Sequence, residues 1–497
     1  MFSMKIRYFY LFLASLVALA CNQVCAANKE RISTPMKSVR TYMNFPNDID
    51  PAHILSMADL ELSVALASPL VTFDQERQIT SALAEKWEII PPKTIQFKLR
   101  KNLAWSDGTP ILAEHFKLSL ERARRSYPND LKALFETIES ISTPDSTTLK
   151  ITTTTDIQKS GILLKLTEPM YSLLAVKDGK IDLSKTSGPF SVSKQTNSEV
   201  VLKANTRWYS YNENMPQEVV VRHIPKDTDL VEHFQKDDWA NLVSGSSLMQ
   251  TSTLQNLEKA GFKTWQRSLD KVFSLYPSKT FLKKNGANIL KGLAAKIDYD
   301  QMMSGMSGYS RAEQFFPRGY ELWSTTSPKM SVPDSLPKLG ALKIIIPSTT
   351  YAASLKEKIG SAIAKITNNK PEVEIVPLSS LNDRMKLGNY DLLATGIAVA
   401  DPNFEGAMSF FIEREPAFIP SADSPNDFSA QLRTARGLPT SKDRAIKMKE
   451  IVLKAQEAGH VLPLFHFSSL AIAKPGIDLS QVPNTDETVL FSKVRVQ

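Results

Sequence analysis

The feature that most constrains this chain is a run of three local signals within residues 94 to 125. From Thr94 to Arg100 the apolar residues Ile95, Phe97 and Leu99 alternate with polar ones, the period-two pattern of a strand with one buried face. Ser106, Asp107 and Gly108 then predict a tight turn, since glycine supplies positive φ and aspartate bonds its own backbone. After Pro110, Phe116, Leu120 and Ala123 recur at helical spacing, while Glu114, Lys117, Glu121, Arg124 and Arg125 fall on the opposite face. A strand, a turn and an amphipathic helix in succession specify a folded domain with a covered sheet. They say nothing about its work.

At 497 residues the chain is too long for one core and implies two or three structural units. The first 27 residues stand apart from them. Lys5 and Arg7 precede the apolar run Tyr8 to Ala20, which is too short to span a bilayer comfortably and has the form of a secretory leader. Val24 with Ala26, or Cys25 with Ala27, supplies the small residues expected before a cleavage point. Both cysteines, Cys21 and Cys25, lie inside this leader, so a chain cut after Ala26 or Ala27 has no disulfide. A lipid-anchored alternative places Cys21 as the acylated residue after Ala18, Leu19 and Ala20, with Ala18 where leucine is usual. No other segment approaches membrane-spanning length.

Net charge is +8, and removing Lys5 and Arg7 with the leader leaves +6. Lys98, Arg100 and Lys101, and Arg122, Arg124 and Arg125, sit on an alternating strand and a helix flank. They read as solvated faces rather than a nucleic-acid surface, because no aromatic interleaving or glycine-rich basic tract accompanies them. The clearest alternation of strands and helices is Leu342 to Val399. Leu342 to Ile346 predicts a buried strand; Leu355, Ile359, Ile363 and Ile366 predict one face of a helix; Val373 to Val376 predicts a second strand. Asp383 to Leu387 is expected to be helical, and Tyr390 to Val399 a third strand. Such alternation implies a parallel sheet, in which ligands bind beyond the carboxyl ends of the strands. The loop after Ile346 and the segment after Ala394 are therefore candidate ligand walls.

Five stretches, in order, carry a resemblance to a known family. Glu85 and Trp87, followed by Phe97, Leu99, Arg100, Trp105, Ser106, Asp107, Gly108, Thr109 and Pro110, resemble the signature of the extracellular solute-binding proteins of family 5. Thr186 to Phe190 with Asn205, Trp208 and Tyr209 is similar to its T-G-P-F … N-x-x-Y/W pattern. Gly292 to Tyr299, Tyr390 to Leu392 with Asp401 and Pro402, and Gln456 to Leu464 resemble its A-I-D helix end, its Y-D-L … D-P segment and its closing strand.

The resemblance implies an α/β, two-lobed periplasmic-binding-protein fold, type II in its large cluster with an extra subdomain, with mixed sheets flanked by helices. It places lobe I at 28–266 and 466–497, with an inserted subdomain near 79–184, and lobe II at 267–465. The chain would cross between lobes near Arg267 and near Phe465. It also implies the substrate-binding subunit of an ABC importer: a monomer in the periplasm that closes around a peptide or other small solute and delivers it to an inner-membrane permease. In peptide-binding relatives the ligand lies extended and is held through its backbone. The matching segments here are Ser68, Pro69 and Leu70, and Ala394, Thr395, Gly396 and Ile397. The sequence departs from the family at Ala398, where peptide binders often carry an aspartate for the ligand's ammonium; either Asp401 or another carboxylate substitutes, or the solute has no free amino terminus. Ser68 and Pro69 replace a common E-G pair, and Leu112 replaces a helix-capping threonine, with Thr109 as a substitute cap.

Enzyme chemistry finds little support. Ser191 and Lys194 have S-x-x-K spacing, and Lys185 to Gly188 imitates a K-T-G element, but that serine lies in an alternating strand and the second element precedes the first. There is no G-x-S-x-G run, and no thiol outside the leader. The six histidines, His53, His115, His223, His233, His460 and His466, show no H-E-x-x-H spacing, so neither metal nor cofactor is expected. Among the tryptophans, Trp87 and Trp105 are expected to pack in a core. Trp265, beside the expected crossing, is the candidate to stack on a ligand. An accessory or sensory binding protein for a non-peptide ligand, or a hydrolase on the same fold, is the alternative to an importer subunit.

Overall fold

The computed structural model describes residues 37–497 apart from 44–49, 52–56, 75–77, 127–134, 136, 158–160, 225–229, 247, 267–270, 317–338, 350, 399–427, 436–437, 439–440 and 483–488. The leader with Cys21 and Cys25 lies outside the described residues, as do His53, Asp401 and Pro402.

The predicted strand, turn and helix are all present. Thr94–Leu99 pairs with Ala84–Ile90 on one side and Thr148–Thr153 on the other, and Ile138–Asp145 completes a four-stranded sheet. Ile95, Phe97 and Leu99 are buried in one cluster with Phe116 and Leu120 of the helix Ala113–Ser126. Trp105 is buried there too, and half-buried Trp87 packs against it. At the turn, Asp107 Oδ1 accepts from the amide of Thr109 at 2.9 Å and from its hydroxyl at 2.6 Å. Gly108 has φ of +90°, and a Cβ there would lie 3.1 Å from Arg207 Nε. With Thr109 bound to Asp107, it does not cap the helix. His115 Nδ1 accepts from the Leu112 amide at 3.0 Å instead, and burial holds that imidazole below its ordinary pKa, which keeps the lone pair free to accept.

Two arginines expected on solvated faces have structural partners. Arg100 donates to the Ala82 carbonyl and the Ser81 hydroxyl and lies over the Tyr209 ring, 5.1 Å from its centroid. Arg122 is buried and pairs with the carboxylate of Asp50. The alternating pattern identifies these positions as polar but carries no information on what a distant loop brings to them.

The segment Thr186 to Phe190 leads from the hairpin Leu174–Lys177 with Lys180–Thr186 into a second four-stranded sheet, ordered Ser38–Met43, Glu218–His223, Glu199–Ala204, Phe190–Gln195. Ser106 and Thr186 exchange two hydrogen bonds of 3.0 Å, so the first two sequence motifs are clasped to one another. The Gly188 amide donates to the Leu66 carbonyl at 3.0 Å, and Asn205 Nδ2 donates to the Gly188 carbonyl at 2.9 Å. A Cβ on Gly188 would stand 2.5 Å from the carbonyl carbon of Leu66, closer than any side chain permits.

The stretch from Leu342 onward forms the core of a six-stranded sheet, ordered Tyr309–Arg311, Leu462–Phe467, Lys271–Pro277, Leu392–Ala398, Lys343–Pro347, Glu372–Val376. The last three strands are parallel, as the alternation predicts, and the first three make antiparallel pairs, so the sheet is mixed. Both its faces are covered. Ile344, Ile346, Leu392 and Ala394 pack on one side with the helix Ala352–Thr367 through Leu355, Ile359 and Ile363, whereas Ile345, Leu393 and Tyr276 pack on the other with Met448, Ile451 and Val452. Burial on both faces is why the strand reads as an unbroken apolar run. The predicted closing strand begins later than its motif, because the helix Ser441–Ala458 continues through Gln456 and the strand starts at Leu462.

A three-stranded sheet, Leu242–Ser246, Ser469–Ala473, Lys263–Gln266, lies next in sequence to the six-stranded one at both of its ends. The chain leaves it within 267–270 and returns at Ser468. His466 and Phe467 still pair with Val272 and Lys271 of the six-stranded sheet, and Ser469 begins the three-stranded one.

Gly188→Ala is expected to lower stability by about 1–3 kcal/mol, because the backbone of Leu66 and Ala67 has nowhere to move. Urea unfolding should show a lower midpoint with unchanged slope; an unchanged midpoint would refute this packing account.

Candidate functional site

Strand Leu392–Ala398 is paired along its whole length with Lys271–Pro277, but on its other edge Lys343–Pro347 accompanies it only at Leu392 and Leu393. Lys343–Pro347 ends in a proline, which has no amide to donate, and the chain then turns into the helix Ala352–Thr367. From Ala394 to Ala398 one strand edge therefore has no strand beside it among the described residues. In an antiparallel pair alternate residues point their amide and carbonyl away from the partner, so this edge presents backbone donors and acceptors in sequence.

Aromatic rings close over the same place. A Cβ on Gly396 would lie 2.7 Å from the Phe467 ring and 3.1 Å from the Tyr351 hydroxyl, so only glycine lets those side chains approach the strand. Tyr351 meets Phe467 edge-on at 5.4 Å between centroids, and Phe273 stacks on Phe465 at 5.0 Å. Ala398 lies opposite Lys271 in register, and Lys271 Nζ sits 5.8 Å from the centroid of the Phe467 ring.

Next to the rings lies a half-enclosed cavity of about 80 Å³. Val243, Leu470 and Ile472 of the three-stranded sheet form one wall; Tyr351 and Ser354 form the other. Met249 and Met306 complete it, held by a two-stranded bridge of Met249–Gln250 with Met306–Ser307. A larger open groove of about 600 Å³ is lined by residues such as Lys296, Met302, Lys358 and Lys365, which all belong to helices around the six-stranded sheet or the turn between them. It includes no residue of the three-stranded sheet, so it does not lie where the two sheets meet.

The other expected contacts behave differently. Ser68 and Leu70 are buried, and Pro69 is half-buried. The Ser68 amide donates to Ser187 Oγ at 3.0 Å, its carbonyl accepts from Leu173 at 2.9 Å, and its hydroxyl accepts from Trp208 Nε1 at 2.9 Å. The carbonyls of Pro69 and Leu70 accept from Leu83 and Ala84. These residues are braced by the protein's own hydrogen bonds. Trp265 needs a correction. It is buried among Val219, Leu242 and Ala473, and its Nε1 donates to the Val482 carbonyl at 2.9 Å, so it is a core residue and not a stacking platform. The sequence pointed to the loop after Ile346, which leads to Tyr351. The cavity walls escaped notice, because Val243, Met249, Met306 and Leu470 converge from segments with no common local pattern.

The family of Bacterial extracellular solute-binding proteins, family 5 Middle, matches residues 78–411, more than half of the chain. This chain belongs to that family. Among individual relatives, the probable D,D-dipeptide-binding periplasmic protein DdpA of Escherichia coli K12 is 23% identical over 76% of this chain and 77% of its own. The probable deoxycholate-binding periplasmic protein YgiS of the same organism is 39% identical, but the match spans only 15% of that relative's length and 16% of this chain. The fold is shared with a dipeptide-binding protein from Pseudoalteromonas sp. SM9913 solved in complex with Met-Leu, at a TM-score of 0.77 and 14% identity, covering 93% of this chain and 100% of that one. The family-5 fold, two-lobed with mixed sheets and helices, is thus the architecture of this chain.

In this family-5 protein two buried tyrosines flank the strand Leu392–Ala398. Burial pushes the hydroxyls of Tyr351 and Tyr390 up to about 12 from an ordinary 10.0. The folded chain holds these protons more tightly than the unfolded chain, so their contribution to stability is complete below pH 10 and is lost as pH rises towards about 12. Unfolding midpoints across that window should fall less steeply for Tyr351→Phe than for the parent protein; parallel curves would contradict the buried-hydroxyl assignment.

Proposed function

We propose that this chain is the solute-binding subunit of an ABC importer, secreted to the periplasm by its leader, which takes a peptide or similarly extended solute between two lobes and hands it to an inner-membrane permease. The observation that supports this reading most strongly is the open edge from Ala394 to Ala398. An extended backbone can pair with such an edge as an added strand, leaving its side chains to neighbouring pockets. The lobes are the sheets up to Gln266 together with Ser469 onward, and the six-stranded sheet from Lys271 to Phe467 with its helices. Ala394, Thr395, Gly396, Ile397 and Ala398 supply the ladder, and Ser68, Pro69 and Leu70 a fixed wall of the other lobe. Any role of Asp401 towards an amino terminus falls outside the described residues.

No described helix is long and apolar enough to cross a membrane. DdpA, named as a probable D,D-dipeptide-binding periplasmic protein, supports a short peptide as the solute and binding rather than turnover as the activity.

Native mass spectrometry of the protein purified without refolding is expected to show a ladder of retained peptide masses. Titrating a bound peptide with single N-methyl groups, read by calorimetry, should then weaken binding about tenfold at alternate positions, the loss of one edge hydrogen bond with its steric cost. Binding indifferent to every N-methyl group would overturn the strand-addition reading.

A further inference from the structure

We infer that the cavity beside Tyr351 is a side-chain pocket that selects an aliphatic group on the solute, with Tyr351 as its gate. This rests on the strand-edge reading above and adds the chemical class of the solute.

Tyr351 belongs to both features. Its hydroxyl lies 3.1 Å from the Cβ position of Gly396, on the open edge, and its side chain lines the cavity. A solute paired along the edge at Gly396 therefore passes the mouth of the cavity. Val243, Met249, Met306, Leu470 and Ile472 give the cavity an apolar lining; Ser244, Gln250, Thr253 and Ser354 add neutral polar groups, and no charged residue lines it. Ser244 Oγ already donates to Glu61 at 2.8 Å, so its proton is not available to a ligand. Its space of about 80 Å³ equals the share of liquid volume of two or three waters, the scale of one side chain. A charged side chain placed there would lose its hydration without meeting an opposite charge, whereas an aliphatic one would gain contact with methyl and thioether groups. The pocket is made from the three-stranded sheet, from the two-stranded bridge between residues 249–250 and 306–307, and from the start of the helix that follows Lys343–Pro347, so it draws on segments from both sides of residues 267–270.

The test uses the full mature chain and a set of tetrapeptides in which Leu, Met, Asp or Lys replaces each alanine of Ala-Ala-Ala-Ala in turn, with affinities measured by calorimetry. At one position Leu and Met should bind about tenfold or more tightly than Asp and Lys, the advantage expected from burying one aliphatic side chain. Ser354→Phe, which fills the cavity from a half-buried helix position, should reduce that ratio to within about twofold, with thermal unfolding recorded to confirm the fold. Tetrapeptides that bind without aliphatic preference, or a preference that survives Ser354→Phe, would overturn this inference while leaving strand addition standing. Failure of every tetrapeptide to bind would overturn the strand-edge reading and this pocket with it.

Discussion

Backbone amides and carbonyls buried near apolar rings need hydrogen-bond partners, and among the described residues the strand Leu392–Ala398 loses its neighbour halfway along. The rest of the molecule can be understood as the apparatus that holds that strand open. Lys271–Pro277 fixes it from one side in continuous antiparallel register. Pro347 ends the strand on the other side, and the helix that follows delivers Tyr351 rather than more backbone into the space. Gly396 allows the tyrosine and Phe467 to close over the strand without a clash. Had Lys343–Pro347 continued beside its neighbour, the edge would be sealed by the protein itself.

Rigid packing gives this edge its precision. The six-stranded sheet buries side chains on both faces, so a shift of one strand would disturb two cores at once. On the other lobe Ser68 to Leu70 is braced through Ser187, Leu173 and Trp208, and the Gly188 turn leaves no room for an added methyl group.

Much of the fold was legible in the sequence because its signals are local. Alternation at Ile95, Phe97 and Leu99 reports one buried face; the run at Ile344, Ile345 and Ile346 reports two; Asp107 and Gly108 make the turn that their chemistry requires. What stayed hidden depends on distant partners. Arg122 meets Asp50, Trp265 meets Val482, and His115 reaches back to accept from the Leu112 amide ahead of its helix, none of which a period can reveal. The candidate site divides in the same way. Ala394 to Ala398 was marked by its place after a parallel strand, but the open edge follows from where Lys343–Pro347 stops, and the apolar cavity from four separated segments that meet in space.

The most direct test of the central claim is residue-resolved amide hydrogen exchange across Ala394 to Ala398, measured with and without bound solute. Strand addition predicts that alternate amides in this stretch slow markedly on binding, while the amides already paired with Lys271–Pro277 change little. Solute bound at saturation with every amide from Ala394 to Ala398 exchanging as before would contradict the claim that this open edge is what holds it.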